Sequence, residues 1–142
     1  MDSALEQARA AEIRGEVPIG AVIVKDGTII ARAGNRTREL NDPTAHAEIL
    51  AIRQACSDAD SERLPGADLY VTLEPCAMCA AAISFARIRR LYFATYDKKG
   101  GAVVNGPRFF SADTCHHAPD VYDGIGRDEA ANLLKSFFAG KR

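Results

Sequence analysis

Leu69-Tyr70-Val71-Thr72-Leu73-Glu74-Pro75-Cys76-Ala77-Met78-Cys79 is the stretch that decides the fold. Leu69 to Leu73 reads as a strand. Proline then breaks the run, and a helix is expected from about Cys76 to Ala86. Strand alternating with helix implies an α/β sheet.

Working outward, Arg89 to Ala94 reads as the next strand. Upstream, Asp42-Pro43-Thr44 is expected to open a helix running to about Cys56, with Asp42 or Thr44 as its cap. Before it, Ile19 to Val24 and Thr28 to Ala31 flank Asp26-Gly27, a two-residue hairpin signal. Ser3-Ala4-Leu5-Glu6 has the form of a capping box, and an Ala-rich helix follows to near Gly15. A last helix is expected near Arg127 to Phe138, and no pattern is legible between Gly100 and that helix. The expected fold is α/β: a three-layer α/β/α arrangement, with a central mixed sheet of about five strands and helices on both faces. One domain over 1–142 suits the length.

The composition is 47% hydrophobic and 26% charged, enough for a core that needs no metal to hold it. No apolar run reaches the ~18 residues of a membrane span, and the N-terminus lacks an apolar signal core, so a cytoplasmic protein is expected. In a reducing compartment a Cys-x-x-Cys pair reads as metal-binding or redox-active. Cys56 and Cys115 have no evident partner and read as small buried hydrophobes. The net charge of −1 argues against a general nucleic-acid binder. Arg87, Arg89, Arg90, Lys98, Lys99 and Arg108 nevertheless crowd one segment with Asp97 as its single acid, and the chain ends Lys141-Arg142. Such a cluster suits a short stretch of RNA or is simply a solvated face.

The chemistry lies in His46-Ala47-Glu48 and Cys76-Ala77-Met78-Cys79. One imidazole and two thiolates are three zinc ligands of suitable softness, and three protein ligands leave a fourth position for water. His46 and Glu48 are two apart, about 200° around a helix, so they can share a site only from a first turn. Cys76 and Cys79 share one face of a first turn, where the helix dipole favours thiolate. A lone histidine is usually a core or surface residue, and a lone Cys-x-x-Cys a redox dithiol. Redox chemistry would leave His46 and Glu48 without a task. His116 and His117 sit in an unpatterned region and read as loop residues.

These motifs resemble the zinc-dependent cytidine/deoxycytidylate deaminase superfamily, whose signature pairs a zinc-ligating His-x-Glu with Pro-Cys-x-x-Cys. Within it the chain is most similar to the bacterial tRNA-specific adenosine deaminases. The resemblance runs through Gly15-Glu16-Val17-Pro18-Ile19-Gly20-Ala21, Gly34-Asn35-Arg36, Asp42 to Ile49, Leu69 to Cys76 and Leu133 to Phe138. It is close over about residues 12 to 101 and returns in the last helix. It implies hydrolytic conversion of adenosine to inosine at the wobble position of a tRNA, an arginine tRNA. One zinc ion per subunit would be held by His46, Cys76 and Cys79. Its bound hydroxide would attack C6, with Glu48 shuttling protons. Asn35, Ile19, Ala47, Asp97, Lys99 and Phe138 would be substrate-binding. The implied partners are a tRNA anticodon loop and a second copy of the chain, packed through the face of Ala80-Ala81-Ala82; neither membrane nor DNA is expected. The alternative is a free guanine or cytosine deaminase, and a zinc-stabilised RNA-binding module without activity is a third reading. Val103 to Pro119 departs from the relatives, which usually run Gly-Ser-Leu there.

Overall fold

A computed structural model describes residues 1–141. Its elements in chain order are α1 (Asp2–Ile13), β1 (Gly20–Lys25), β2 (Thr28–Gly34), α2 (Ala47–Ala59), β3 (Ala67–Leu73), α3 (Ala77–Phe85), β4 (Arg90–Thr95), β5 (Asp120–Asp123) and α4 (Arg127–Ala139), with a 3-10 turn over Phe109–Ser111. The strands form one mixed sheet in the order β2-β1-β3-β4-β5. β1 is antiparallel to β2 and β3, while β3, β4 and β5 are parallel.

Alternation along the strands divides the core. Ala21, Ile23, Leu69, Val71, Leu91 and Phe93 point to one face and pack with Ala51, Ala55 and Ile83 of α2 and α3. On the other face Ala94 meets Leu5 of α1 and Ala130 of α4. Helices therefore cover both faces, as expected. α1 lies so close to the sheet that a methyl on Gly20 would run into the Ala4 carbonyl and the Ala8 amide.

The hairpin forms as read: Lys25 pairs with Thr28, and Asp26 and Gly27 both take positive φ, at 52° and 77°. Three local expectations are corrected. Ser3 does not cap α1; the cap position is Met1, with no side-chain bond, and Ser3 lies inside the helix. α2 begins at Ala47 rather than at Asp42. Asp42 Oδ1 instead accepts bonds from the Thr44 amide and hydroxyl, a closed turn that satisfies its own polar groups. β5 stands in the stretch that showed no pattern; it is a four-residue edge strand with no fully buried side chain.

Candidate active site

α2 and α3 both start at the carboxyl end of the sheet's central strands, as ligand sites of α/β sheets usually do. His46 occupies the cap position of α2 and Cys76 that of α3, each with extended φ and ψ, so both side chains face forward off their helices. Cys79 follows one turn into α3 and is fully buried. His46 Nδ1 lies 3.7 Å from Cys76 Sγ and 3.5 Å from Cys79 Sγ. All three ligand atoms fall within 4.8 Å of one another.

These distances test the fit to zinc. Zn–S bonds of about 2.3 Å and Zn–N bonds of about 2.0–2.1 Å set tetrahedral N···S edges near 3.6 Å. The two observed N···S separations bracket that value. The donor set fits zinc, with Nδ1 as the histidine ligand.

The shared hydrogen bond moves the two thiols in opposite directions. The Cys76 thiol is held down at about 4, chiefly by the hydrogen bond from Cys79, with His46 helping. Cys79 is pushed up by that same bond and by burial. His46 is raised by its bond to Cys76. Glu48 is 4% exposed, and burial pushes its carboxyl up to about 6. A group poised near neutrality can both take and give a proton.

Next to the cluster is a cavity of about 760 Å³ lined by Ile19, Asn35, Asp97, Lys99 and Phe138 among others. Five of the six residues expected to bind substrate thus share one cavity. The sixth, Ala47, does not line it; it is fully buried. Its amide donates to Asn35 Oδ1 at 2.8 Å, so Ala47 orients Asn35 instead. That bond ties the cavity wall to the segment between His46 and Glu48, and it leaves Asn35 Nδ2 for a ligand.

Lys98 of the basic segment also lines the wall, with Val17, Leu73, Tyr96, Gly100 and Leu134, to which no binding role was given from the sequence. Glu74 was quoted only as part of a motif, yet it is 2% exposed and holds the far wall. Its Oε1 accepts from the Asp97 amide and Asn105 Nδ2, and its Oε2 from the amides of Val103, Val104 and Asn105. Burial alone would raise its carboxyl; the donors, Asn105 first, outweigh this and hold it below the usual range. A charged residue between a buried strand and a Pro-Cys turn was the available signal.

The other cysteines and histidines stay outside the site. Cys56 and Cys115 are half-buried rather than buried. His117 Nε2 bonds to the Ile88 carbonyl, and His116 is exposed. The basic segment disperses. Arg89 pairs with Asp68 beside the amino end of β4, and Lys98 and Lys99 are the members that line the cavity. Arg142 lies outside the described residues.

The family model for the cytidine and deoxycytidylate deaminase zinc-binding region matches residues 1–95. The chain belongs to that family, and to its tRNA-specific adenosine deaminases, which makes it a hydrolase. It is 68% identical over 142 residues to the tRNA-specific adenosine deaminase of Agrobacterium fabrum, covering all of this chain and 93% of that one. It is 42% identical to the Bacillus subtilis enzyme of the same name, over 97% and 86% of the two chains. A solved structure from work on A-to-I editing by tRNA:A34 deaminases superposes with a TM-score of 0.93 at 69% identity, covering 94% of this chain and 97% of that one. The guanine deaminase of Bacillus subtilis is also similar, with a TM-score of 0.65 and 44% identity over 67% of this chain and 61% of that one.

Proposed function

We propose that this chain deaminates adenosine to inosine at the wobble position of a tRNA, an arginine tRNA. The observation that carries the proposal is Asn35, which lines the large cavity and whose Oδ1 accepts from the amide of Ala47, the residue between His46 and the buried Glu48. His46, Cys76 and Cys79 would hold one zinc ion per subunit, which would supply a Lewis acid that makes water ionisable near neutral pH.

The remaining steps belong to the protein. Glu48 takes a proton from the attacking water and returns one to the base, so that C6 gains oxygen and the amine departs as ammonia. Asn35 Nδ2 donates to an acceptor on the base and sets its angle. Val17, Ile19, Leu73, Leu134 and Phe138 supply an apolar lining that excludes bulk water. Asp97 and Lys99, on the far wall, meet the flanking nucleotides. A base inside a stem cannot enter such a cavity, whereas a loop nucleotide swings out at small cost. The same reading includes a homodimer in the cytoplasm. Phe85, at the end of α3, is 68% exposed and suits a partner's surface, next to the half-buried Ala81 and Ala82. Ala80 is already buried within the subunit and leaves that face.

Sequencing the wobble base of arginine tRNA before and after treatment tests the substrate. Adenosine read as inosine is the expected outcome. The likeness to a guanine deaminase motivates the rival reading. Ammonia released from free guanine or cytosine, with every RNA unchanged, would replace the proposal with that rival.

A further inference from the structure

A second cavity, of about 570 Å³, lies across the edge strand β2 between α1 and α2. Arg14, Arg32, Arg36 and Arg53 converge on it, against Glu39 as its one acid. Glu39 is committed: it takes two bonds from Arg36, at 2.7 and 3.1 Å, and sits 3.6 Å from Arg14. Arg32 and Arg53 have no carboxylate partner within bonding distance among the described residues, and both are exposed. Asp42 lies near Arg53 but is already satisfied by Thr44.

This cleft adjoins the active site. Gly34 and Arg36 line it, while Asn35 between them lines the catalytic cavity. Arg14 Nη2 donates to the Asn35 carbonyl at 3.2 Å, and the Asn35 side chain holds Ala47. Asn35 therefore stands where the two cavities meet along the chain. The guanidinium fork matches phosphate oxygens, and several of them along one cleft suit the repeated phosphates of a sugar-phosphate backbone.

We propose that the cleft binds backbone phosphates of the RNA on one side of the target nucleotide, with Arg32 and Arg53 as the free contacts. The inference rests on the RNA substrate proposed above. The chain leaving the catalytic cavity passes Lys98 and Lys99 in one direction. In the other it crosses residues 34–36 into the arginine cleft.

The test measures binding of the zinc-loaded protein to a labelled anticodon stem-loop across a KCl series. The proteins are wild type, R32A/R53A, R32K/R53K and R63A, the last altering an exposed arginine outside the cleft. Each single-strand phosphate contact contributes about 0.7 to the slope of log K against log salt. R32A/R53A is expected to bind several-fold more weakly, with the slope reduced by about 1.4. Its zinc content and its turnover at saturating RNA stay at wild-type values. R32K/R53K keeps most of the slope, and R63A keeps all of it. An unchanged slope in R32A/R53A overturns the inference and leaves the RNA substrate standing. An equal fall in R63A overturns it too, since overall charge would then suffice. Displacement of RNA by inorganic phosphate as effective as by unlabelled RNA would assign the cleft to a small anion instead. A wild-type protein that neither binds nor deaminates the stem-loop removes the substrate reading, and the inference with it.

Discussion

Replacing Glu74 with glutamine keeps the shape of the side chain and removes its charge. Five donors converge on the native carboxylate. Glutamine offers one acceptor oxygen. Its best orientation puts that oxygen toward the amides of Val103, Val104 and Asn105. The new NH2 then faces the Asp97 amide, and the Asn105 side chain must turn over to accept from it. One buried donor is left unsatisfied, which costs about 1–3 kcal/mol, and three bonds lose their charge assistance. A net loss of about 2–4 kcal/mol follows, or roughly 6–12 °C in Tm at about 3 °C per kcal/mol for a chain of this size.

The damage should be local. Glu74 grips the segment from Asp97 to Asn105, and that segment carries Asp97, Lys98, Lys99 and Gly100 of the cavity wall. Zinc content should hold, because His46, Cys76 and Cys79 are untouched. KM should rise more than kcat falls, and amide exchange should quicken across residues 97–105. Acid supplies a second readout. The folded Glu74 carboxyl titrates below its ordinary value. Its contribution is therefore full above the ordinary carboxylate range and is lost as pH falls through its folded value. The gap in Tm between wild type and E74Q should narrow on acidification. A Tm within 1 °C of wild type at neutral pH (a shift of about 0.3 kcal/mol on the same scale), with unchanged exchange in the loop, would refute the reasoning.

Glu48→Gln should retain zinc and lose about 10²–10⁴ in turnover, the usual worth of a general acid–base group; activity within tenfold of wild type would remove Glu48 from proton transfer. Cys79→Ala should abolish stoichiometric zinc by elemental analysis, and full zinc occupancy in that variant would refute the ligand set. Gly20→Ala should destabilise by about 1–3 kcal/mol, since α1 must shift off the sheet to admit the methyl; a melting curve superposable on wild type would show that the helix moves freely.

What could be read from the residues follows from how local each feature is. Chemistry at a metal demands particular residue types, so His46, Glu48, Cys76 and Cys79 stood out before any fold was known. The hairpin was legible for a related reason: two consecutive positive φ values need Asp-Gly or a close equivalent. The start of α2 was misread because Asp42-Pro43-Thr44 has the composition of a cap, while its polar groups close a turn of their own. β5 escaped because an edge strand with Val121 as its one residue packed on the core shows no alternation.

Charge was the least legible property, and the reason is geometric. Residues 87 to 108 look basic in sequence, yet β4 runs through the middle of them. A strand carries its two termini to opposite ends of the sheet, so Arg89 and Arg90 are separated from Lys98 and Lys99 by the strand's length. The arginines that do converge come from the end cap of α1, β2, the loop after it and α2, spread over residues 14 to 53. The same topology that scatters a contiguous basic run gathers dispersed arginines beside Asn35. The substrate's charge is thus met where α1 and α2 flank the β2 edge, and the reaction is met where α2 and α3 begin. Asn35 belongs to both places through its carbonyl bond to Arg14 and its side-chain bond to Ala47. A change at Arg14 should therefore reach the zinc site through one residue, whereas changes at Arg32 or Arg53 should alter RNA affinity and leave the chemistry alone.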